Sequence, residues 1–181
     1  MKIFLIMLFS FIGLISKPTY KIDFGSEKNG QNWRIINDGV MGGLSKGKVQ
    51  FTENSLSFQG VVSLANNGGF TSFKSPFQPT DLSAFKMVKL RARGEGQRIA
   101  LTFENSRTWY YPYFKKNLPV LTQDWQVFEL PLEEFDKYQV GRKMGVKMDA
   151  NDQSQIIRIG FTTNEKKEGP FQFEIDYIAF E

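Results

Sequence analysis

The chain has 181 residues, which is enough for one domain with a sizeable core plus a short leader. Its net charge of +4 comes from 23 Lys and Arg interleaved with 19 Asp and Glu, which argues against the basic stripe of a nucleic-acid-binding protein. Cys and His are absent, which excludes thiolate chemistry, disulfides and imidazole-based catalysis or metal binding. No cofactor, metal or catalytic residue is predicted. The 15% aromatic content, with 18 Phe, favours an all-β fold.

The N-terminus has the pattern of a secretory leader. Met1 and Lys2 give a short basic start, and residues 3–15 form an apolar run interrupted by Ser10 and Gly13. This run is shorter than the roughly 20 residues that a membrane-spanning helix needs. We therefore predict a signal peptide at residues 1–16 and export to the periplasm or the extracellular space. There are two alternatives: these residues are an uncleaved membrane anchor, or they form a buried N-terminal strand or helix. The anchor is the one membrane contact predicted.

Residues 21–181 alternate short apolar runs with turn residues, which is typical of a single β domain. One predicted hairpin covers residues 49–64 around a polar turn, and another covers residues 88–103 around Gly94 and Gly96. Further strands are expected at 125–130, 157–161 and 171–177, with a helical turn at 132–135 and a surface loop at 141–152. The roughly eight or nine strands expected in total predict a two-sheet β-sandwich of jelly-roll type.

Two glycine-rich segments carry the strongest local pattern. Residues 33–45 read Trp-Arg-Ile-Ile-Asn-Asp-Gly-Val-Met-Gly-Gly-Leu-Ser, and residues 64–72 read Leu-Ala-Asn-Asn-Gly-Gly-Phe-Thr-Ser. Both are rich in residues that favour turns or a positive φ. Neither is a nucleotide-binding loop, because the required Lys and Ser or Thr do not follow and no long helix is predicted beside them. On turn chemistry alone, both are tight corners of a β-sandwich.

The order of these segments resembles the complex I intermediate-associated protein 30 (CIA30) family. The likeness continues at residues 81–83, 90–96, 125–132 and 173–178, and so runs from about residue 24 to 180. It implies a galactose-binding-domain-like jelly roll, no enzymatic activity, and a protein partner that the chain serves as an assembly factor or scaffold, as family members do for respiratory complex I. The candidate binding residues are the family-motif positions Trp33, Asn37, Asp38, Gly39, Met41, Gly42, Gly43, Ser45, Asn67, Gly68, Gly69 and Phe70, with Trp33 expected to support the loops by packing.

Carbohydrate binding is the alternative function, and aromatic residues near position 110 suggest it. Trp109 and Tyr111 follow Arg107, and exposed rings can stack on sugar faces while neighbouring polar groups bond to the hydroxyls. A structural explanation competes with this one. Because Trp109 and Tyr111 are two residues apart, they would share one face of a strand and pack in the core.

A polar sheet face is also predicted. Arg91, Arg93 and Glu104 are expected to project from one face of the 88–103 hairpin, opposite its apolar residues. They would form either a binding face or a solvent-exposed lattice of ion pairs.

Acidic residues close in sequence are weak evidence for a catalytic or metal-binding site. The pairs Glu133–Glu134 and Asp149–Asp152 are more typical of a solvated surface than of a glycosidase, whose two carboxylates face each other across a cleft. Asp23 and Asp176 could meet where the first and last strands pair, but two carboxylates alone do not predict a Ca²⁺ site.

Overall fold

The computed structural model describes residues 19–181, so the leader predicted at residues 1–16 lies outside the described residues. This part of the chain contains thirteen strands and one short α-helix: β1 (Tyr20–Asp23), β2 (Arg34–Asn37), β3 (Lys46–Phe51), β4 (Leu56–Val62), β5 (Thr71–Lys74), β6 (Met87–Glu95), β7 (Ile99–Glu104), β8 (Tyr113–Asn117), β9 (Gln126–Pro131), β10 (Asp136–Gln139), β11 (Arg142–Lys147), α1 (Ala150–Ser154), β12 (Arg158–Thr163) and β13 (Gly169–Phe180). The predicted all-β class is confirmed. Within residues 19–181, no helix has the length and apolar character needed to cross a bilayer.

The strands form two antiparallel sheets that stack into a sandwich. Sheet A has the order β3-β4-β13-β6-β9, with β1 beside the C-terminal half of β13. Sheet B has the order β11-β10-β8-β7-β12-β5-β2. Neighbours in each sheet are mostly distant in sequence, as a jelly roll requires, and the predicted two-sheet architecture is confirmed.

Phenylalanine rings fill the space between the sheets. Phe58 and Phe173 of sheet A meet Phe73 and Phe161 of sheet B, with ring centroids 5.9 Å apart for Phe58–Phe73 and 4.9 Å apart for Phe161–Phe173. All four side chains are buried. Burial of one such ring contributes on the order of 2–3 kcal/mol. The aromatic composition therefore explains how a chain without disulfides holds two sheets together.

One predicted hairpin is confirmed and the other is wrong. β3 and β4 pair from Lys46↔Val61 to Phe51↔Leu56, as expected for residues 49–64. β6, however, belongs to sheet A and β7 to sheet B. Gly96 has a φ of 87°, and a Cβ there would overlap the Pro170 carbonyl oxygen. The glycine-rich turn is therefore a corner that carries the chain from one sheet to the other.

The predicted surface loop at residues 141–152 is also wrong, because it contains β11 and α1. β11 is an edge strand whose six residues are all exposed, so it lacks the alternation that reveals a half-buried strand. A reciprocal capping box begins α1: the Asp152 amide donates to Asp149 Oδ1 at 2.8 Å, and the Asp149 amide donates to Asp152 Oδ2 at 3.3 Å. The predicted helical turn at 132–135 is confirmed as the 3-10 turn Leu132–Glu134.

Candidate functional site

The two glycine-rich segments form adjacent loops at one end of the sandwich. The first motif loop, residues 38–45, joins β2 to β3, and the second motif loop, residues 63–70, joins β4 to β5. Since β2 pairs with β5 and β3 pairs with β4, the fold brings these connections side by side. Asn66 Nδ2 donates to the Gly42 carbonyl oxygen at 3.0 Å and ties the two loops at their surface.

The Asp38 carboxylate joins the same loops from the inside. Its Oδ1 accepts from the Ser45 amide at 2.9 Å, and its Oδ2 accepts from the Ser45 hydroxyl at 2.5 Å and the Gly69 amide at 2.7 Å. The Phe70 amide donates to Oδ2 at 3.3 Å. Asp38 is 1% exposed. A buried carboxylate is tolerated here because four donors converge on it.

These contacts also fix the ionisation of Asp38. Burial by itself raises the pKa of the Asp38 carboxyl, but the hydrogen bonds from Ser45, Gly69 and Phe70 favour the charged form and outweigh it. The net result is a pKa below the usual value for aspartate. Asp38 is therefore an anion at neutral pH, and its bonds are charge-assisted.

The Asp38 carboxylate explains the position of one glycine in each loop. A Cβ at Gly43 would overlap the Asp38 carboxyl carbon and Oδ1, and a Cβ at Gly68 would lie 2.6 Å from Asp38 Oδ2. Gly42 and Gly69 instead have φ values of 88° and 131°, which L side chains rarely adopt. Gly43 and Gly68 thus allow the two loops to close around one buried anion. Gly39 is exposed and has open space around it.

The remaining motif residues connect the loops to the sheets. Asn37 Oδ1 accepts from the Thr71 hydroxyl at 2.6 Å and from the Gly47 amide at 3.1 Å. Asn67 has a φ of 59° and ends the turn that precedes β5, which confirms the turn predicted at Asn67–Gly68. The Trp33 ring lies 5.0 to 6.3 Å from the rings of Phe24, Phe73 and Phe161 and so supports the start of β2 by packing, as predicted.

Four apolar side chains are exposed on the joined loops. Val40 and Met41 are 78% and 68% exposed, Leu44 is 58% exposed, and Leu64 of the second loop is 43% exposed. Leu64 lies against Gly69, where a Cβ would be 3.2 Å from its Cδ2. We call these four side chains the crest. Sequence reasoning included Met41 but missed the other three, although an apolar residue inside a turn-rich segment is a usable indication of an interaction site.

Arg91 and Arg93 project from the outer face of sheet A and form an ion-pair lattice. Arg91 Nη1 lies 2.6 Å from Asp176 Oδ2, and Arg93 Nη2 lies 2.8 Å from Glu174 Oε2. The two guanidiniums stand 4.6 and 4.7 Å from the centre of the Trp125 ring. The expectation that Glu104 shares this face is wrong. Glu104 belongs to sheet B, where it pairs with Lys74 at 2.5 Å.

We expect Arg93→Met to lower the free energy of unfolding by about 1–2 kcal/mol, because it removes the cation beside a buried carboxylate. The Glu174 side chain is only 9% exposed, and burial raises its pKa, whereas the Arg93 and Ser55 hydrogen bonds lower it to below its usual value. Arg91→Met is the matched control: it loses the same Trp125 contact, but its partner Asp176 is 21% exposed. Urea unfolding should therefore show a smaller loss for Arg91→Met, and equal losses would contradict this assignment.

Trp109 and Tyr111 lie in the loop between β7 and β8 and are 79% and 53% exposed. The expectation that they pack in the core is therefore wrong. The two-residue spacing suggested a strand, but residues 105–112 follow the end of β7 and belong to no strand. Tyr110, between them, is 51% exposed, and its ring meets Trp109 edge-on at 88°.

The acidic residues considered from the sequence all have local partners or lie in solvent. Lys116 Nζ bonds to Glu134 at 2.6 Å, and Asp149 and Asp152 cap α1. Asp23 is paired with Lys21 at 2.9 Å, and Asp176 is paired with Arg91 at 2.6 Å, so each of these two carboxylates has a cation beside it. Within residues 19–181, no three His, Cys, Asp or Glu side chains gather as metal ligands.

Comparison with known proteins assigns this chain to a family. The family model for complex I intermediate-associated protein 30 (CIA30) matches residues 22–175, which is most of the chain and includes both motif loops. The chain belongs to the CIA30 family. Part of the CIA30 motif surrounds the Asp38 carboxylate in this chain: Ser45, Gly69 and Phe70 donate to it, and Gly43 and Gly68 leave room for it.

A relative of this CIA30 domain supports the same assignment. The mitochondrial complex I intermediate-associated protein 30 of Mus musculus is 25% identical over 186 aligned residues, covering 86% of this chain and 54% of the relative. The chain therefore spans about half the length of that protein.

Solved structures establish the fold independently. Family 11 carbohydrate-binding modules of Clostridium thermocellum are similar. One, from the cellulosomal cellulase Lic26A-Cel5E, has a TM-score of 0.64 with 16% identity over 89% of this chain and 94% of the module. Another, in complex with a β-1,3-1,4-mixed-linked tetrasaccharide, has a TM-score of 0.61 with 16% identity over 83% and 88%. At this identity the likeness concerns the fold alone, and it confirms the predicted jelly-roll sandwich of galactose-binding-like type.

Proposed function

We propose that this CIA30 domain is a non-enzymatic protein-binding module that serves the assembly of a larger complex. The observation that carries the proposal is the crest: four exposed apolar side chains on two loops that a buried, fully bonded carboxylate joins. Exposed apolar clusters of this kind mark interaction sites, and a surface that is rigid before binding loses less entropy on binding. The name of the mouse relative supports an assembly role related to respiratory complex I.

The chemistry of the crest defines the partner surface. Lys46 follows the first motif loop directly, Lys166 lies close to Gly69, and Glu168 accepts from the Ser63 hydroxyl at 3.3 Å, so charged side chains of both signs border the apolar residues. The partner that fits is a protein surface with an apolar centre and polar or charged residues around it. The predicted export of the chain, which depends on residues 1–16, would place that partner outside the cytoplasm.

Site-specific crosslinking tests this proposal. With a photo-reactive phenylalanine analogue in place of Leu44, we expect one defined protein to be crosslinked, and the same analogue at Val127 should not capture it. Val127 is a matched control because it is 55% exposed and lies on β9, at the opposite edge of sheet A from β3. Met41→Asp in the Leu44-labelled chain should reduce the crosslink about tenfold, since a charge at the centre of an apolar contact is costly.

Two results would contradict the proposal. One is an identical set of crosslinked proteins from positions 44 and 127, and the other is a yield at position 44 that Met41→Asp leaves unchanged. Thermal unfolding of each variant serves as the control for folding, because an exposed substitution should alter stability by no more than about 0.5 kcal/mol.

Carbohydrate binding stays a prediction. The exposure of Trp109, Tyr110 and Tyr111 satisfies its first requirement, but the carbohydrate-binding modules share only the fold with this chain.

A further inference from the structure

We propose that the end of sheet B opposite the crest binds the surface of a membrane that contains anionic lipids. This end, which we call the aromatic-basic end, consists of residues 105–112, between β7 and β8, and residues 139–147, from the end of β10 to the end of β11. The proposal concerns a surface separate from the crest and does not depend on the protein-binding function.

The two segments are neighbours because the strands that lead into them are paired. Tyr113 at the start of β8 lies opposite Tyr138 near the end of β10, and their rings are stacked with centroids 6.0 Å apart. Just beyond this pair, Gln139 Nε2 donates to the Tyr110 carbonyl oxygen at 3.3 Å. The loop that carries Trp109 and the turn that carries Val140 therefore emerge side by side.

This end exposes an unusual set of side chains. Besides Trp109, Tyr110 and Tyr111, it presents Val140 at 60% exposure, with Met144 and Val146 further along β11 at 44% and 51%. Trp and Tyr rings favour the level of lipid headgroups, because they combine an apolar body with a polar tip. Aliphatic side chains beside them can enter the acyl boundary, where each buried Å² contributes about 25 cal/mol.

The charge of the chain is concentrated at the same place. The two segments contain four basic residues, Arg107, Arg142, Lys143 and Lys147, and no acidic residue. The rest of the chain has 19 basic and 19 acidic residues, so these segments account for the net charge of +4. Asp136 neutralises part of this charge, as it lies 2.7 Å from Lys143 and 3.6 Å from Lys147. An anionic lipid surface attracts each nearby Lys or Arg with about 1 kcal/mol, so the charge is complementary to such a surface.

A lipid surface fits these residues better than a sugar. The three rings do not form one flat platform for a sugar, because the Trp109 and Tyr110 rings stand at 88° and the Tyr110 and Tyr111 rings at 44°. Sugar binding also gives no role to Val140, Met144 and Val146. Insertion into an interface uses the rings, the aliphatic side chains and the basic residues together.

Trp109 fluorescence provides a local test. Trp33 and Trp125 are partly buried against protein, whereas Trp109 is 79% exposed, so a change in solvent around this end alters mainly Trp109 emission. With the whole chain, we expect a blue shift with vesicles of phosphatidylcholine and phosphatidylglycerol, and quenching when the acyl chains are brominated. Vesicles of phosphatidylcholine alone should give a weaker shift, and salt should reduce the binding. Trp109→Phe should abolish the signal and thereby identify its source.

Variants show whether this end of sheet B, and not another part of the chain, binds the vesicles. The apolar residues 3–15 are the same in every variant, so any lipid binding that they cause is common to all. The double substitution Val140→Asp with Arg142→Glu should weaken the fluorescence titration about tenfold or more. Val127→Asp, which adds a charge at an exposed valine of sheet A, should titrate like the unmodified chain.

The proposal is overturned if no vesicle shifts Trp109 emission, or if Val140→Asp with Arg142→Glu titrates like the unmodified chain. Retardation in gels that contain a neutral β-glucan or polygalacturonate, lost in Trp109→Ala and without any vesicle response, would instead assign this end to carbohydrate.

Discussion

Asp38→Ala should lower the free energy of unfolding by about 3 kcal/mol or more, which is the largest effect expected of any substitution in the motif loops. The substitution leaves the Ser45 amide and hydroxyl and the Gly69 and Phe70 amides without their acceptor. Unsatisfied buried donors cost more than the hydrogen bonds themselves contribute. Urea unfolding measures the change. The crest should also lose partner binding, because Asp38 is the internal connection between its two loops.

The control for Asp38 is Asp81, which accepts hydrogen bonds from the Ser83 amide and hydroxyl but is exposed. Asp81→Ala should change stability little, because water replaces the acceptor. A similar loss for both substitutions would show that a local turn, and not the burial of the carboxylate, explains the Asp38 result.

The pH dependence of the Asp38 contribution to stability has a defined sign, and Asp38→Asn measures it. Because the native pKa of Asp38 lies below its usual value of 3.8, its contribution to stability is complete above the unfolded-state pKa and is lost as the pH falls through the native pKa. The stability difference between the unmodified chain and Asp38→Asn should therefore be constant from about pH 7 to 5 and shrink below about pH 4. A difference that grew with acidification would contradict a lowered native pKa.

Sequence patterns predicted the sandwich well because its core obeys local rules. Alternation located β3 and β4, and the abundance of Phe anticipated the rings between the sheets. The sheet switch at Gly96 was not predictable from alternation, since a hairpin and a corner between sheets need the same turn residues. β11 was missed for the opposite reason: an exposed edge strand has no buried face to produce a pattern.

The candidate site was harder to predict from the sequence than the strands were. The sequence identified Asp38 and the glycines as a motif but interpreted them as two separate corners. Their connection joins residues 31 positions apart, Asp38 and Gly69, and only the pairing of β2 with β5 brings them together. Trp109 and Tyr111 were open to two interpretations, because a two-residue spacing also occurs in loops.

The arrangement of the two proposed surfaces has a geometric consequence. β7 begins at Ile99, which pairs with Thr163 close to the start of β5, and ends at Glu104, which pairs with Tyr113. The crest and the aromatic-basic end therefore lie at opposite ends of sheet B, and six residues of extended strand separate them by roughly 17 Å. A domain bound to lipid through one end would present the crest away from the membrane.

Gly43→Ala should lower the free energy of unfolding by about 2 kcal/mol, the second largest effect we expect, because the new methyl group overlaps the Asp38 carboxyl group. The φ of Gly43 is not in the left-handed region, so the cost is steric and not conformational. Gly39→Ala is the matched control in the same loop: it has open space around it, and its stability should change by no more than about 0.5 kcal/mol.

A double-mutant cycle then shows whether the Asp38 carboxylate is what Gly43 accommodates. In the Asp38→Ala background most of the atoms that the methyl group meets are gone, so Gly43→Ala should cost clearly less there than in the unmodified chain, and the two losses should not add. If the two losses of unfolding free energy added fully, residues other than Asp38 would be the reason why glycine is needed at position 43. Because the cycle compares unfolding free energies alone, it tests the enclosure of the carboxylate without any assumption about what the crest binds.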